Sequence, residues 1–308
     1  MRVPLIDLPA EYASLREEIL SAVDEVLQGM RLYLGPRTEE LEQRWADFVG
    51  VKHAVAVASG TDSLTLPLLA AGIGPGDEVI TVGWTFIATL EAILHTGARP
   101  VVVDVEPEAL TMDVEQLRAA VTPRTRALLP VHIYGHPADM GPIMQIAAEH
   151  DLFVLEDAAQ AHGAQYQGQP VGSLGHAGSF SFYVTKNLSA YGEGGIVTTN
   201  DDDLAAQIRL LRNHGRSEKA EHVVVGFNSR LHELQAAILL VKLKYFPQWN
   251  ERRRQIAAYY NDRLADLPLS LPVEREGCRH AYHIYGTRTT ERDRLKQAFE
   301  QADIGYSL

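Results

Sequence analysis

The chain has one cysteine, Cys278, in 308 residues. No intramolecular disulfide can form, and the histidines show no Cys/His spacing suited to zinc, so a reducing, cytoplasmic setting without a structural metal is expected. Positive charge is scarce as well: 28 Lys and Arg stand against 40 Asp and Glu, a formal net charge of −12. An acidic surface repels a phosphate backbone, which argues against unspecific binding to nucleic acid or to an anionic membrane. Any phosphate the protein binds must be held locally. Long apolar runs are also missing. None approaches the roughly eighteen residues of a membrane span, and Arg2 puts charge too early for a signal peptide.

What the chain does have is alternation. An amphipathic helix over 14–28 and a second over 37–49 precede a short apolar strand, Ala54–Ala58, which runs into Ser59-Gly60-Thr61-Asp62 and a helix to Ala71. The unit repeats with strands at 78–82, 100–105, 127–133 and 152–156 and helices at 86–95, 113–121 and 139–150. Strands alternating with helices predict an α/β fold with a mostly parallel sheet flanked by helices on both faces. Beyond Glu156 the strands come closer together, at 178–183 and 195–199, which predicts antiparallel or mixed edges. A helical region from 230 to about 267, broken near Pro247, then leads to a strand over 283–289 and a helix over 291–302. The reading is a large domain over 1–245 with an N-terminal arm and a smaller α/β domain over 246–308. One strand and one helix are meagre for an independent domain, so the latter reads as incomplete.

The motifs sit at strand ends. Ser179 to Val184 is an apolar, aromatic run that delivers one lysine, Lys186, and then breaks into Gly192, Gly194 and Gly195. A lysine among apolar groups is desolvated, which favours the neutral amine and makes it a nucleophile toward a carbonyl; taken alone it reads rather as an ordinary strand-end lysine in solvent. Ser59-Gly60-Thr61 places backbone amides at a strand-to-helix turn, suited to a phosphate or simply a helix cap. Glu156-Asp157-Ala158-Ala159-Gln160-Ala161-His162-Gly163 puts two carboxylates, an amide and an imidazole at the carboxyl end of a strand, the edge at which open parallel sheets bind ligands. Asp157, followed by two alanines, is the better placed to hold a proton on a heteroaromatic nitrogen; His162 taken alone reads as a satisfied core histidine rather than a ligand. Trp84-Thr85-Phe86 offers a stacking aromatic. Asn228 and Arg230 offer an amide and a guanidinium for a phosphate or carboxylate, or else a helix cap. Together these parts are what holding pyridoxal 5'-phosphate requires.

These residues resemble the DegT/DnrJ/EryC1/StrS family of pyridoxal-phosphate-dependent sugar aminotransferases, of fold type I architecture. The resemblance runs through Leu34-Gly35-Pro36, Ala58 to Leu64, Pro130-Val131-His132-Ile133-Tyr134-Gly135, Glu156 to Gly163, Ser179 to Leu188, Leu211 to Gly215 and Gly226 to Ala237. It implies that Lys186 is the Schiff-base lysine, that Asp157 partners the pyridinium nitrogen, and that Gln160 lies over the ring or at its 3-oxygen. Gly60, Thr61 and Ser181 would hold the phosphate and Phe86 would stack on the ring. Asn228 would reach the phosphate of a neighbouring subunit, which implies a homodimer with shared active sites; His162 and Tyr183 would face the substrate.

The implied reaction is ping-pong transfer of an amino group from glutamate to a nucleotide-diphosphate-linked keto-deoxysugar, of dTDP-3-keto type from the Gln-Ala-His form at 160–162. Relatives with histidine in place of the lysine are dehydratases, so Lys186 argues for amino transfer. Other pyridoxal phosphate chemistry, as in a dehydratase or lyase, and a non-catalytic regulatory relative are the alternatives. Family members continue past the point matching Leu308, so the small domain is expected to be truncated.

Overall fold

The computed structural model describes residues 3–217 and 219–308. The chain opens with α1 (Leu8–Gly29) and α2 (Pro36–Val49). It continues through β1 (His53–Val57), α3 (Gly60–Ala70), β2 (Glu78–Val82), α4 (Ala88–His95), β3 (Arg99–Val103), α5 (Val114–Ala120), β4 (Thr125–Leu128), α6 (Met140–His150) and β5 (Phe153–Asp157). A small hairpin, β6 (Gln165–Tyr166) and β7 (Gln169–Pro170), leads to β8 (Ala177–Ser181), β9 (Gly195–Thr199), α7 (Asp202–Leu211), α8 (Glu233–Leu243), α9 (Phe246–Leu264), β10 (Cys278–Arg279) and α10 (Arg292–Gln301). Among the described residues no helix is long and apolar enough to cross a membrane.

Seven strands form one sheet in the order β1-β9-β8-β5-β4-β2-β3. Pairs from β8 through β3 are parallel, and β9 runs against both β1 and β8. β2, β8 and β9 are buried at every position, as strands covered by helices on both faces must be. Antiparallel pairing was expected at an edge, but β9 lies one strand inside it, because the first strand of the chain pairs along its outer side. A Cβ at Gly195, where β9 begins, would come 2.2 Å from the Ser59 carbonyl oxygen. Only glycine lets β9 start against that turn.

Among the differences from the sequence reading, two are shifted boundaries and one is a strand that does not form. The first helix starts at Leu8 instead of 14, since Asp7 accepts from the Ala10 amide at 3.0 Å and Pro9 occupies the first turn. β4 ends at Leu128 instead of 133, because Pro130 has no amide to donate; Val131 makes only an isolated bridge to Asp157. No strand forms over 283–289. Instead Ala281 donates to the Gly135 carbonyl (2.9 Å) and His283 to that of Tyr134 (2.9 Å), so the segment is spent pinning the loop after β4. The long helix divides as expected, with Pro247 in the first turn of α9, where its missing amide costs little.

α2 has no side-chain cap of its own. The buried carboxylate of Glu233, from α8, accepts instead from the amides of Gly35, Arg37 and Thr38, each at 2.9 Å, and from the Thr38 hydroxyl. An acid at the positive end of a helix is favourable, and this one fastens α8 to α2. Behind the sheet edge, Trp45 of α2 packs against Phe180 and Phe182 at ring separations of 5.1 and 5.5 Å, forming the wall on which the following loop rests.

Candidate active site

Six of the seven strands point the same way, so their carboxyl ends share one edge, and the chemistry-bearing loops collect there. At the end of β1, the Ser59 hydroxyl accepts from the Asp62 amide at 3.1 Å and its carbonyl from Ser63 at 3.1 Å. The amides of Gly60 and Thr61, the first two of α3, have no carbonyl within the helix to bond and sit at the positive end of its dipole. A Cβ at Gly60 would land 2.6 Å from that of Ser181. The missing side chain therefore leaves a cradle in which the turn and the end of β8 lie side by side. Ser63 ties them together through the Ser179 hydroxyl at 2.6 Å. Gly60, Thr61 and Ser181 are thus brought together, with the donor chemistry a phosphate needs.

Asp157 ends β5 and is 5% exposed. Its Oδ2 accepts from the Thr89 hydroxyl at 2.8 Å and its Oδ1 from the Ala159 amide at 3.1 Å. Burial pushes its carboxyl above the usual range, opposed by those two hydrogen bonds and by the charge of Lys186. Burial pushes the Lys186 ammonium down, opposed in turn by Asp157. Burial presses each group toward its neutral form, and a positive charge beside Asp157 would favour its carboxylate. The lysine's neighbour is clamped: Asn187 donates to Asn250 (3.1 Å) and to the Ala281 carbonyl (3.0 Å), and accepts from His283 Nδ1 at 3.1 Å.

The adjacent acid has a different task. Glu156 accepts from the amides of Gly172, Leu174 and Gly175 at 2.7–2.8 Å and from His132 Nε2 at 3.0 Å, while His132 Nδ1 accepts from the Ala138 amide at 2.9 Å. All of its lone pairs are used in holding the β5 to β8 crossover, which leaves Asp157 as the acid free to act. Gln160 lies at the same edge, its Oε1 accepting from the Tyr134 amide at 2.8 Å. Phe86, between β2 and α4, is 67% exposed, and Tyr183 is exposed beside Lys186. Asn228 is exposed and accepts from Arg230 at 2.6 Å; its neighbour Ser229 donates to Asp62 of α3 at 2.7 Å, which sets the segment near the phosphate turn.

His162 points elsewhere. It is fully buried among Trp45, Phe180 and Phe182, at ring separations of 5.4–5.9 Å, and neither ring nitrogen has a hydrogen-bond partner among the described residues. Burial first, and then the charge of Lys186, push its pKa down to about 3. The unfolded chain, with an imidazole near ~6.5, takes up a proton that the folded chain refuses. The stability His162 contributes is therefore present above pH ~6.5 and is lost as pH falls from there toward 3. His162→Phe, which fills the same aromatic space, should make the urea midpoint less sensitive to pH between about 6.5 and 4 than it is in the wild type. An unchanged pH dependence would contradict this. His280, also held at about 3 by burial, keeps the slope from vanishing.

Thr89, which orients Asp157, and the Asn187–Asn250–His283 clamp were not singled out by the sequence. Asn187 carries a signal, since it follows the lysine directly. Asn250 and His283 carry none, because their partner lies 63 and 96 positions away.

Comparison with known proteins bears on this arrangement. Residues 13–308 match the model of the DegT/DnrJ/EryC1/StrS aminotransferase family. A pleiotropic regulatory protein of Geobacillus stearothermophilus is 47% identical over 308 residues, covering 99% of this chain and 82% of its own length. A UDP-N-acetyl-3-dehydro-α-D-glucosamine 3-aminotransferase of Acidithiobacillus ferrooxidans is 46% identical over 306 residues, covering 99% and 83%. The crystal structure of Streptomyces venezuelae DesV in complex with a ketimine intermediate superposes with a TM-score of 0.96 at 46% identity, covering 98% of this chain and 82% of that one.

Proposed function

The chain belongs to the DegT/DnrJ/EryC1/StrS aminotransferase family, and from that premise we propose that it moves an amino group from glutamate to the C3 keto group of a nucleotide-diphosphate-linked sugar. The observation that carries this reading is the placement of a desolvated lysine, Lys186, at the same sheet edge as the buried acid Asp157 and the open turn at Gly60 and Thr61. The cradle at Gly60, the two uncommitted amides and the acid fit pyridoxal 5'-phosphate, the cofactor of this family.

When bound, that cofactor supplies an aldehyde carbon that condenses with amines and a ring that accepts an electron pair. The chain's own groups do the rest. The amides of Gly60 and Thr61 and the Ser181 hydroxyl hold the phosphate at the helix terminus. Asp157, its two oxygens fixed by Thr89 and the Ala159 amide, holds the proton on the ring nitrogen. Phe86 would cover one face of the ring, and Gln160 would lie at it from the loop after β5. Lys186 would hold the cofactor's aldehyde carbon. Its Nζ, pushed toward the neutral amine by burial, is the group placed to take up and return the proton of the donor's α-carbon. Tyr183 stands at the mouth on the substrate side, while His162 acts by packing beneath the loop that carries Lys186.

Two copies are proposed to share their sites, with Asn228 of each reaching toward the other's phosphate. Support comes from large apolar groups left exposed, including Trp84, Phe86, Phe227 and Val225, the last 94% exposed. Sedimentation at the mass of a single chain would contradict this assembly. Residues 1–245 are proposed to form the cofactor-binding domain and 246–308 the smaller one. A reducing cytoplasm suits the lone thiol of Cys278, and recovery in the cytosolic fraction of the cell tests that placement. The function itself is tested by supplying glutamate and a nucleotide-linked 3-keto sugar. Formation of 2-oxoglutarate together with a 3-amino sugar is expected; loss of water from the sugar without 2-oxoglutarate would instead mark dehydratase chemistry.

A further inference from the structure

The loop that carries Lys186 is held from two sides. On one side Asn187 is clamped by Asn250, the Ala281 carbonyl and His283. On the other, α8 supplies the holding groups. Gln235 accepts from the Tyr191 amide at 2.9 Å and donates to the Tyr191 carbonyl at 3.1 Å. Lys242, two turns further along the same face, donates to the Ser189 hydroxyl at 3.3 Å and rests over the Tyr191 ring at 3.9 Å. Lys242 is fully buried, and its counter-ion comes from a third element: Glu11, in the first turn of α1, at 2.6 Å. Burial pushes the Lys242 ammonium down, opposed by Glu11. Glu11 and Ser189 also line a cavity of ≈370 Å3 that opens beside Lys186, so this cluster borders the candidate site.

A lysine is seldom fully buried, and a buried ion pair as a rule adds little stability over apolar groups of the same volume. Docking of α1 does not need the pair. Leu15 and Ile19 of α1 pack against Ile238 and Val241 of α8, and Tyr12 meets the Tyr191 ring edge-on at 6.1 Å. What the ammonium adds is direction. It donates to several partners at once, and here they stand on α1 and on the loop. An apolar side chain would fill the volume without selecting one arrangement of residues 189–191.

We propose that Lys242 is a positioning residue for Lys186: paired with Glu11, it fixes Ser189 and Tyr191, and thereby the direction in which the loop presents the Lys186 amine. The assignment rests on the reading of Lys186 as the reactive amine of amino transfer. It also gives the N-terminal helix a part in the site.

Lys242→Met fills a similar volume without the charge. In the cofactor-loaded protein it is expected to lower kcat with glutamate by about 10- to 100-fold, as a small misplacement of a reacting group does, with KM changed by less than about two-fold. Backbone hydrogen exchange over 186–191 in the same preparation should rise by about 10-fold or more, while exchange in β8 stays as in the wild type. Lys242→Arg, which keeps the charge, should recover part of the rate. The double variant Glu11→Gln/Lys242→Met, which removes both charges, should keep a urea midpoint no lower than that of the wild type and still show the loss in kcat. An unchanged kcat, or unchanged exchange over 186–191, in Lys242→Met would overturn the proposal. So would a change confined to KM, or a urea midpoint of the double variant that falls together with its rate, which would make the pair structural. Should the wild type form no 2-oxoglutarate from glutamate, the amino-transfer reading fails, and exchange over 186–191 alone decides whether Lys242 orders the loop.

Discussion

Lys186→Ala is expected to lower amino transfer by about 1,000-fold or more and to abolish the visible absorption band of the bound cofactor. Two roles are proposed for this one side chain: covalent anchoring of the cofactor, and proton transfer between the donor's α-carbon and the cofactor. Proton transfer alone is worth roughly 10²- to 10⁴-fold, and loss of the nucleophile compounds it. The structure supports both roles. Burial shifts the ammonium pKa down, toward the neutral amine, and the Asn187 clamp ties the loop to Asn250 and to the Ala281 carbonyl. The phosphate turn does not depend on the lysine, so the variant should still bind the cofactor. Equilibrium dialysis against pyridoxal phosphate checks this, and substantial turnover in the variant would remove Lys186 from the chemistry.

Asp157→Asn ranks second, with an expected loss of about 10²- to 10³-fold in turnover, the scale observed when one preorganised electrostatic partner is removed. The amide has the shape of the carboxyl group but no charge, so it cannot favour a proton on the ring nitrogen. That proton is what lets the ring take up an electron pair. The environment sharpens the effect. Asp157 sits where burial resists a bare charge, so its carboxylate form depends on a cation opposite it, and the two groups stabilise one another in a medium of low dielectric. Steady-state rates with glutamate at saturation measure the loss. Thr89→Val, which removes the hydroxyl on Oδ2, should give a smaller loss of the same kind. A rate for Asp157→Asn within a few-fold of wild type would mean that the ring nitrogen is served by another group.

Both residues were legible in the sequence because each ends a strand within its own motif, as does the turn after β1. A strand followed by Ser-Gly-Thr, by Glu-Asp-Ala-Ala or by a lone lysine carries its position with it, and parallel order places all such ends at one edge. What escaped the sequence depends on distant partners. The interior position of β9 follows from pairing with β1, which lies more than 140 residues earlier. The cap on α2 comes from Glu233, 195–198 residues away. The direction of His162 follows from the aromatic wall built by Trp45, on a helix that nothing local links to it. Strand-length errors had nearer causes, such as Pro130 ending β4.

The most direct test of the central claim is a single-turnover titration of the cofactor-loaded protein with glutamate, in the absence of any keto sugar. The visible band should disappear, and 2-oxoglutarate should form in an amount equal to the bound cofactor, as expected if Lys186 yields its place to the donor and the amino group stays with the protein. A band that persists at saturating glutamate, or that disappears without release of 2-oxoglutarate, would contradict the account.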